Sequence, residues 1–289
     1  MIDKSLLEQF ETELLEQAGS RRDLLRGAGK VGAAIAAAGV PAVFATLVTP
    51  APLRAQAAPS VTEILQFALT LEYLEFEFYR LGLERANLIP AADRNLFQVF
   101  RDHEFAHVRF LENALGIAPD SRKPNFDFTA GGLFADVFTN YATYRALSQG
   151  FEDTGVRAYK GQAPNLMAND AVLTAALRIH SVEGRHASEI RRLNGNFAEQ
   201  VPQKGWITEA QTGVVPATVG GKPVGNAIYG PGNPPANFPS EANTTQAGVN
   251  LATLTFTPPV AATAPSESFD EPLDMATVVA IASLFIRPS

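Results

Sequence analysis

Between residues 60 and 195 the apolar positions fall into four runs of helical period, over 64–79, 97–115, 141–160 and 171–193. Leu65, Ala68 and Leu69 line one side of the first; Phe97, Phe100 and Leu111 line the second. Ala176, Ile179, Ile190 and Leu193 do so on the fourth. A short turn over 86–89 makes the first two helices antiparallel neighbours, and a short link over 161–165 joins the last two. The middle joint, 116–132, is long and irregular, with Pro119, Pro124 and Gly131-Gly132, and reads as a crossover that lets helix three start at the correct end of a bundle. Thr62, with Ser60 behind it, marks the start of helix one; Pro90 and Ala91 open helix two; Asn169 or Asp170 caps helix four.

After Asn194 the period disappears. Residues 195–270 are dense in proline, glycine, asparagine and threonine, with turns at Gly220-Gly221 and over 229–235. Trp206, Ile207, Ile228, Phe238, Leu251, Leu254 and Phe256 supply scattered anchors, so the stretch is expected to be an ordered arm wrapping the bundle or a neighbouring subunit. Residues 274–286 read as a short apolar helix with Pro272 in its first turn, docked on protein and too short to cross a bilayer.

The apolar faces carry polar groups that need partners. Glu72 is followed seven residues later by Tyr79, and Glu152 by Tyr159; Glu104 is followed three residues later by His107, and Glu183 by His186. Each pair shares one side of its helix. Glu104 comes 32 positions after Glu72 and Glu183 comes 31 after Glu152, so helices three and four repeat one and two. Four carboxylates inside a bundle would each cost several kcal/mol to bury unpaired, whereas two divalent cations balance them to zero. Carboxylate oxygen with imidazole nitrogen suits iron, manganese or zinc.

The neighbouring polar residues carry weaker signals. Glu75, one turn beyond Glu72, is read as solvated or paired at the helix edge, with an extra ligand or ion path as the alternative. Glu77 is read as surface. His103 and His180 are expected to be satisfied or exposed rather than to support the ligands. Tyr79 and Tyr159 either hydrogen-bond the carboxylates or fill core. Gly155 leaves room where Glu75 stands in the other half, a point at which oxygen or peroxide would enter.

One glutamate from each of two helices and a Glu-x-x-His pair from each of the other two is a ligand set that resembles the ferritin-like superfamily, over about residues 60–195. The resemblance implies an all-α fold: a ferritin-like four-helix bundle with a crossover connection, here followed by the irregular C-terminal arm and its short helix. It implies two divalent metal ions, Fe or Mn, held by Glu72, Glu104, His107, Glu152, Glu183 and His186, with the carboxylates of Glu72 and Glu152 bridging or capping them. Tyr79 and Tyr159 are the candidate catalytic side chains that tune the ions. A small oxidant or metal ions are the implied partners, and a homo-oligomer is compatible with the pattern.

Residues 1–57 read as a targeting segment. Ser20-Arg21-Arg22-Asp23-Leu24-Leu25-Arg26 is similar to a twin-arginine export signal, with leucine and arginine where phenylalanine and lysine are commoner. A weakly apolar run over 31–48, broken by Pro41, and Ala55-Gln56-Ala57 complete the pattern, so the mature chain is expected to begin near Ala58. The domains are then a signal peptide at 1–57, the bundle at 58–195 and the arm at 196–289. This implies the twin-arginine export machinery as a partner, a periplasmic or otherwise exported location, and no stable membrane span after cleavage. Leader and long arm together resemble an exported ferritin-like group described as desiccation-related.

Composition narrows the classes that remain. The chain has no cysteine, so no disulfide or thiolate chemistry is available. Its net charge is −7, and residues 1–57 hold six basic and six acidic side chains, so that charge stays with the rest. No basic stripe appears, which argues against nucleic acid. No Walker loop, Gly-x-Gly-x-x-Gly or Gly-x-Ser-x-Gly is present. The expected activity is oxidation of metal ions or consumption of peroxide or dioxygen under oxidative or desiccation stress. The rival reading is a structural or protective envelope protein whose metal serves only the fold.

Overall fold

A computed structural model describes residues 58–196 and 203–287. The arginine pair, the apolar run and the cleavage site of the leader lie outside the described residues. Four helices make the bundle: α1 (Val61–Glu84), α2 (Arg94–Ala114), α3 (Tyr141–Gln162) and α4 (Asp170–Gly195). α1 packs on α2 and α3 on α4, and α1 also touches α3. The first turns of α1 lie beside the last turns of α3, as those of α4 lie beside the end of α2, so each of these pairs runs antiparallel.

Local signals explain the helix ends. Ser60, not Thr62, caps α1: its Oγ accepts from the Glu63 N–H while the Glu63 carboxylate accepts from the Ser60 N–H, a reciprocal box that satisfies two otherwise free donors. Ser60→Ala should cost about 1 kcal/mol, visible as a melting midpoint lowered by roughly 2–4 °C in calorimetry. Pro90 and Ala91 precede α2 rather than open it; residues 91–93 form a turn, and the helix starts at Arg94. Asn169 caps α4 by accepting from the Val172 N–H. The link before it is mostly helical, because α3 runs on to Gln162 and a 3-10 turn, Ala163–Leu166, follows.

α1 and α3 are buried on nearly every side, whereas α2 and α4 each bury one face. The difference comes from what covers them. The crossover lays Phe128, Phe134 and Val137 on the bundle beside Phe78, whose ring stacks on Tyr144 with centroids 4.6 Å apart. Gly82 makes that approach possible, since a Cβ there would collide with the Tyr144 ring. Glu77 is therefore not on the surface: Lys123 of the crossover and Arg80 enclose its carboxylate at 3.1 and 2.7 Å.

The arm packs on α3. It holds two antiparallel two-residue ladders, Thr218–Val219 with Lys222–Pro223 and Thr245–Gln246 with Val249–Asn250, and three short helices. These are α5 (Gly225–Tyr229), α6 (Ala264–Glu267) and α7 (Met275–Ala282). α7 starts from Asp274, whose side chain accepts from the Thr277 N–H; Pro272 lies ahead of the cap, not in the first turn. The chain then pairs Ile286 with Phe126 of the crossover. Among the expected anchors, Ile207 and Ile228 are buried, but Trp206 and Leu254 are exposed, and Phe238, Leu251 and Phe256 are half-buried.

Val215, Val224, Leu273, Val278 and Phe285 join the main core, and polar groups fasten the arm as well. Arg157 of α3, fully buried, donates to the carbonyls of Ile228, Gly230, Pro239, Glu271 and Pro272, and its Nε lies 2.8 Å from Glu241 Oε1. Beside it, Asp153 takes a two-pronged bond from Arg191 of α4 (2.9 and 2.5 Å) and accepts from the Tyr229 hydroxyl at 2.6 Å. A chain that lacks hydrophobic period thus docks through its own carbonyls on a buried guanidinium. No helix of the described residues is long and apolar enough to cross a membrane.

Candidate metal centre

The helix periods bring all six expected ligands to one level of the bundle. Glu72, Glu104, Glu152 and Glu183 have no exposed surface, and His186 is buried. One atom from each of Glu72, Glu104, His107 and Glu183 lies within 4.8 Å of the others, and Glu104, Glu152, Glu183 and His186 form a second such group. The two groups share Glu104 and Glu183. Each histidine falls with the glutamate three residues before it, while Glu72 belongs to one group alone and Glu152 to the other. That sharing suits Glu104 and Glu183 to reach both candidate positions, and Glu72 and Glu152 one each.

Glu104 Oε1, Glu152 Oε2, both Glu183 oxygens and His186 Nδ1 are buried without a hydrogen-bond partner. His186 Nδ1 lies 2.8 Å from Glu104 Oε1 and 3.3 Å from Glu152 Oε2, yet the alignment is not that of hydrogen bonds. Buried polar atoms without partners are rare and costly. Five of them aimed at one small volume, four of them carboxyl oxygens, fit divalent cations.

Surrounding residues orient the donors. His186 Nε2 lies 2.9 Å from His103 Nδ1, the two rings stack, and Nδ1 of His186 is left to face the carboxylates. His103 is exposed, as expected, and its ring also lies against the candidate ligand His186. The tyrosines cross over: Tyr79 donates to Glu152 Oε1 at 2.5 Å, and Tyr159 donates to Glu72 Oε1. Because α1 and α3 are antiparallel, a tyrosine two turns below its own glutamate meets the glutamate of the other half. Burial and the adjoining carboxylate hold both phenols well above their ordinary pKa, so they remain neutral donors.

Glu75 is the largest departure from expectation. It is 3% exposed and turned into the site rather than solvated at the helix edge. A Cβ on Gly155 would lie 3.0 Å from Glu183 Oε2 and 3.3 Å from Glu75 Oε1. The space at Gly155 thus faces two carboxyl groups, and a small pocket beside it is lined by Leu71, Leu74, Glu75, Phe151 and Ile281. His180 lies outside the cluster, half-buried, with its Nε2 unpartnered among the described residues.

Charge crowding sets protonation. Burial pushes the carboxyls of Glu75, Glu104 and Glu183 well up, and their neighbouring carboxylates add to it. Burial acts the same way on Glu72, but hydrogen bonds from His107 outweigh it and the group is lowered. Burial alone would lower His107; bonding to Glu72 and the charges of Glu183 and Glu152 outweigh that and bring it up to about 9. A raised folded-state pKa stabilises fully below the unfolded value of 6.5 and loses that contribution as pH climbs through 9. Glu104 and Glu183 act with the same sign. Metal-free protein should therefore melt at progressively lower temperature from pH 6.5 to 9, and the slope should flatten when a divalent ion displaces these protons.

The comparisons with known proteins agree with this geometry. The family model of the ferritin-like domain matches residues 60–196, the span of the four helices and all six donors. No curated protein matches the chain.

Proposed function

Residues 60–196 being a ferritin-like domain, we propose that this chain is an exported dimetal protein, with two iron or manganese ions held by Glu72, Glu104, His107, Glu152, Glu183 and His186. The observation that carries the reading is the pair of donor groups sharing Glu104 and Glu183, with their unpartnered buried oxygens. When bound, such ions supply one-electron redox chemistry toward peroxide, dioxygen or ferrous iron.

The side chains prepare the site for that chemistry. Antiparallel α1 and α3 put the phenolic protons of Tyr79 and Tyr159 on the capping carboxylates, fixing the rotamer of Glu152 and Glu72 and directing the remaining oxygens inward. His103 fixes the face that His186 presents. Glu75, kept protonated by burial and by the carboxylates of Glu152, Glu104 and Glu72, places a carboxylic proton beside Glu183. Phe97, Phe100 and Phe151 pack around the centre and exclude bulk water.

Export is proposed from the arginine pair at Arg21-Arg22 and the small-residue site at Ala55-Gln56-Ala57. Fractionation of cells making the chain should place the processed form outside the cytoplasm. For the activity, purified protein reconstituted with iron or manganese should bind two ions and then consume hydrogen peroxide or oxidise ferrous iron. Two bound ions with neither activity would favour the protective envelope reading, in which metal serves the fold.

A further inference from the structure

A cavity of about 360 Å³ runs along the inside of the bundle at the end where α1 and α4 begin and α2 and α3 finish. It is separate from the metal centre. Its walls on α1 extend from Ile64 to Leu71 and on α4 from Ala171 to Ile179, roughly 10–12 Å at the rise of an α-helix. The lining is almost wholly apolar. Small residues make the room: Ala68, Ala158, Ala175 and Ala176 stand where larger side chains would close the core. A void of this size forfeits packing contacts and lies within the range of small-molecule sites.

Its two ends differ in character. At the inner end is Tyr159, the phenol that donates to Glu72. Exposed Phe110, Ala171, Thr174 and Arg178 line its solvent side, Arg178 beside Ile179 at the inner end of the α4 wall and Ala171 at the outer end. Among the described residues the Arg178 guanidinium makes no ion pair or hydrogen bond, so the one cation on the lining is available to a ligand. Gln162, also on the lining, has its Oε1 occupied by Asn165.

We propose that this cavity binds an unbranched aliphatic carboxylate, its head group at Arg178 and its chain lying along the alanine-lined wall toward Ala171. Length, apolar lining and a lone unpaired cation at one end specify a chain with one anionic end. The ligand then lies against Tyr159, whose hydroxyl orients a carboxylate of the candidate metal site. The proposal does not rest on metal being bound.

The test is calorimetric titration of the full chain, metal-free and manganese-supplied, with decanoate and with 1-decanol. Decanoate should bind in both states. Ala175→Phe should abolish binding while leaving the circular dichroism spectrum and manganese stoichiometry unchanged; if that variant does not fold, Ala171→Phe at the exposed outer end should block entry in its place. Arg178→Gln should weaken decanoate by about fivefold, as expected of an exposed ion pair, and leave decanol unchanged. Failure of the full chain to bind decanoate, binding that survives the blocking variants, or equal decanoate affinity in Arg178→Gln would each overturn the assignment. Manganese stoichiometry is read separately, so loss of the metal reading and loss of this one are distinguishable.

Discussion

Alanine at Glu104 or Glu183 is expected to remove both metal ions, whereas alanine at Glu72 or His107 should leave about one ion per chain. The asymmetry follows from membership: Glu104 and Glu183 stand in both donor groups, and Glu72 and His107 in one. Glutamine at the two shared positions should also raise the stability of the metal-free protein. Burial and neighbouring charges already push Glu104 and Glu183 well up, which is repulsion stored in the fold. Glu104→Gln and Glu183→Gln keep the shape and relieve that repulsion, so the metal-free variants should melt above the parent. Elemental analysis and calorimetry on the same preparations check both halves. A variant that lost metal because it failed to fold would melt lower, not higher.

Arg157→Met is expected to have the largest effect on stability, about 3–5 kcal/mol, the usual penalty for breaking a buried ion pair from one side. It strands Glu241 without its cation and leaves the carbonyls of Ile228, Gly230, Pro239, Glu271 and Pro272 without their shared donor. Methionine replaces the stem of the side chain but none of its donors. The arm should loosen before the bundle, because Leu273 also bonds the Arg157 carbonyl and sits where only Gly161 allows it to approach α3. Limited proteolysis should cut within residues 203–287 while α1 to α4 persist, and denaturant titration should show a separate early transition. A single unchanged transition would remove the arm's proposed fastening.

The bundle was legible because helical period and ligand period coincide. Glu72, Glu104, Glu152 and Glu183 sit on apolar stripes, and a buried carboxylate on such a stripe requires a counter-charge whatever the fold. Spacing also exposed the repeat. What spacing could not give was direction across the bundle: the tyrosine at the seventh position reaches the glutamate of the opposite half, which depends on α1 and α3 running antiparallel. Glu75 and Glu77 were misread for a related reason. A helix with polar residues at both positions looks one-faced in sequence, and only the crossover and α7 show that α1 is covered all round. The arm was the least legible part. Its anchors were sought among large apolar residues, yet Trp206 and Leu254 stay exposed while backbone carbonyls gather on Arg157, a docking mode with no periodic signature.

Anomalous diffraction at the metal edge, from crystals of protein reconstituted with iron or manganese, tests the central claim most directly. The account predicts two peaks per chain: one within the Glu72, Glu104, His107 and Glu183 oxygens and nitrogen, the other among Glu104, Glu152, Glu183 and His186. A single peak, none, or density centred on other side chains would contradict it.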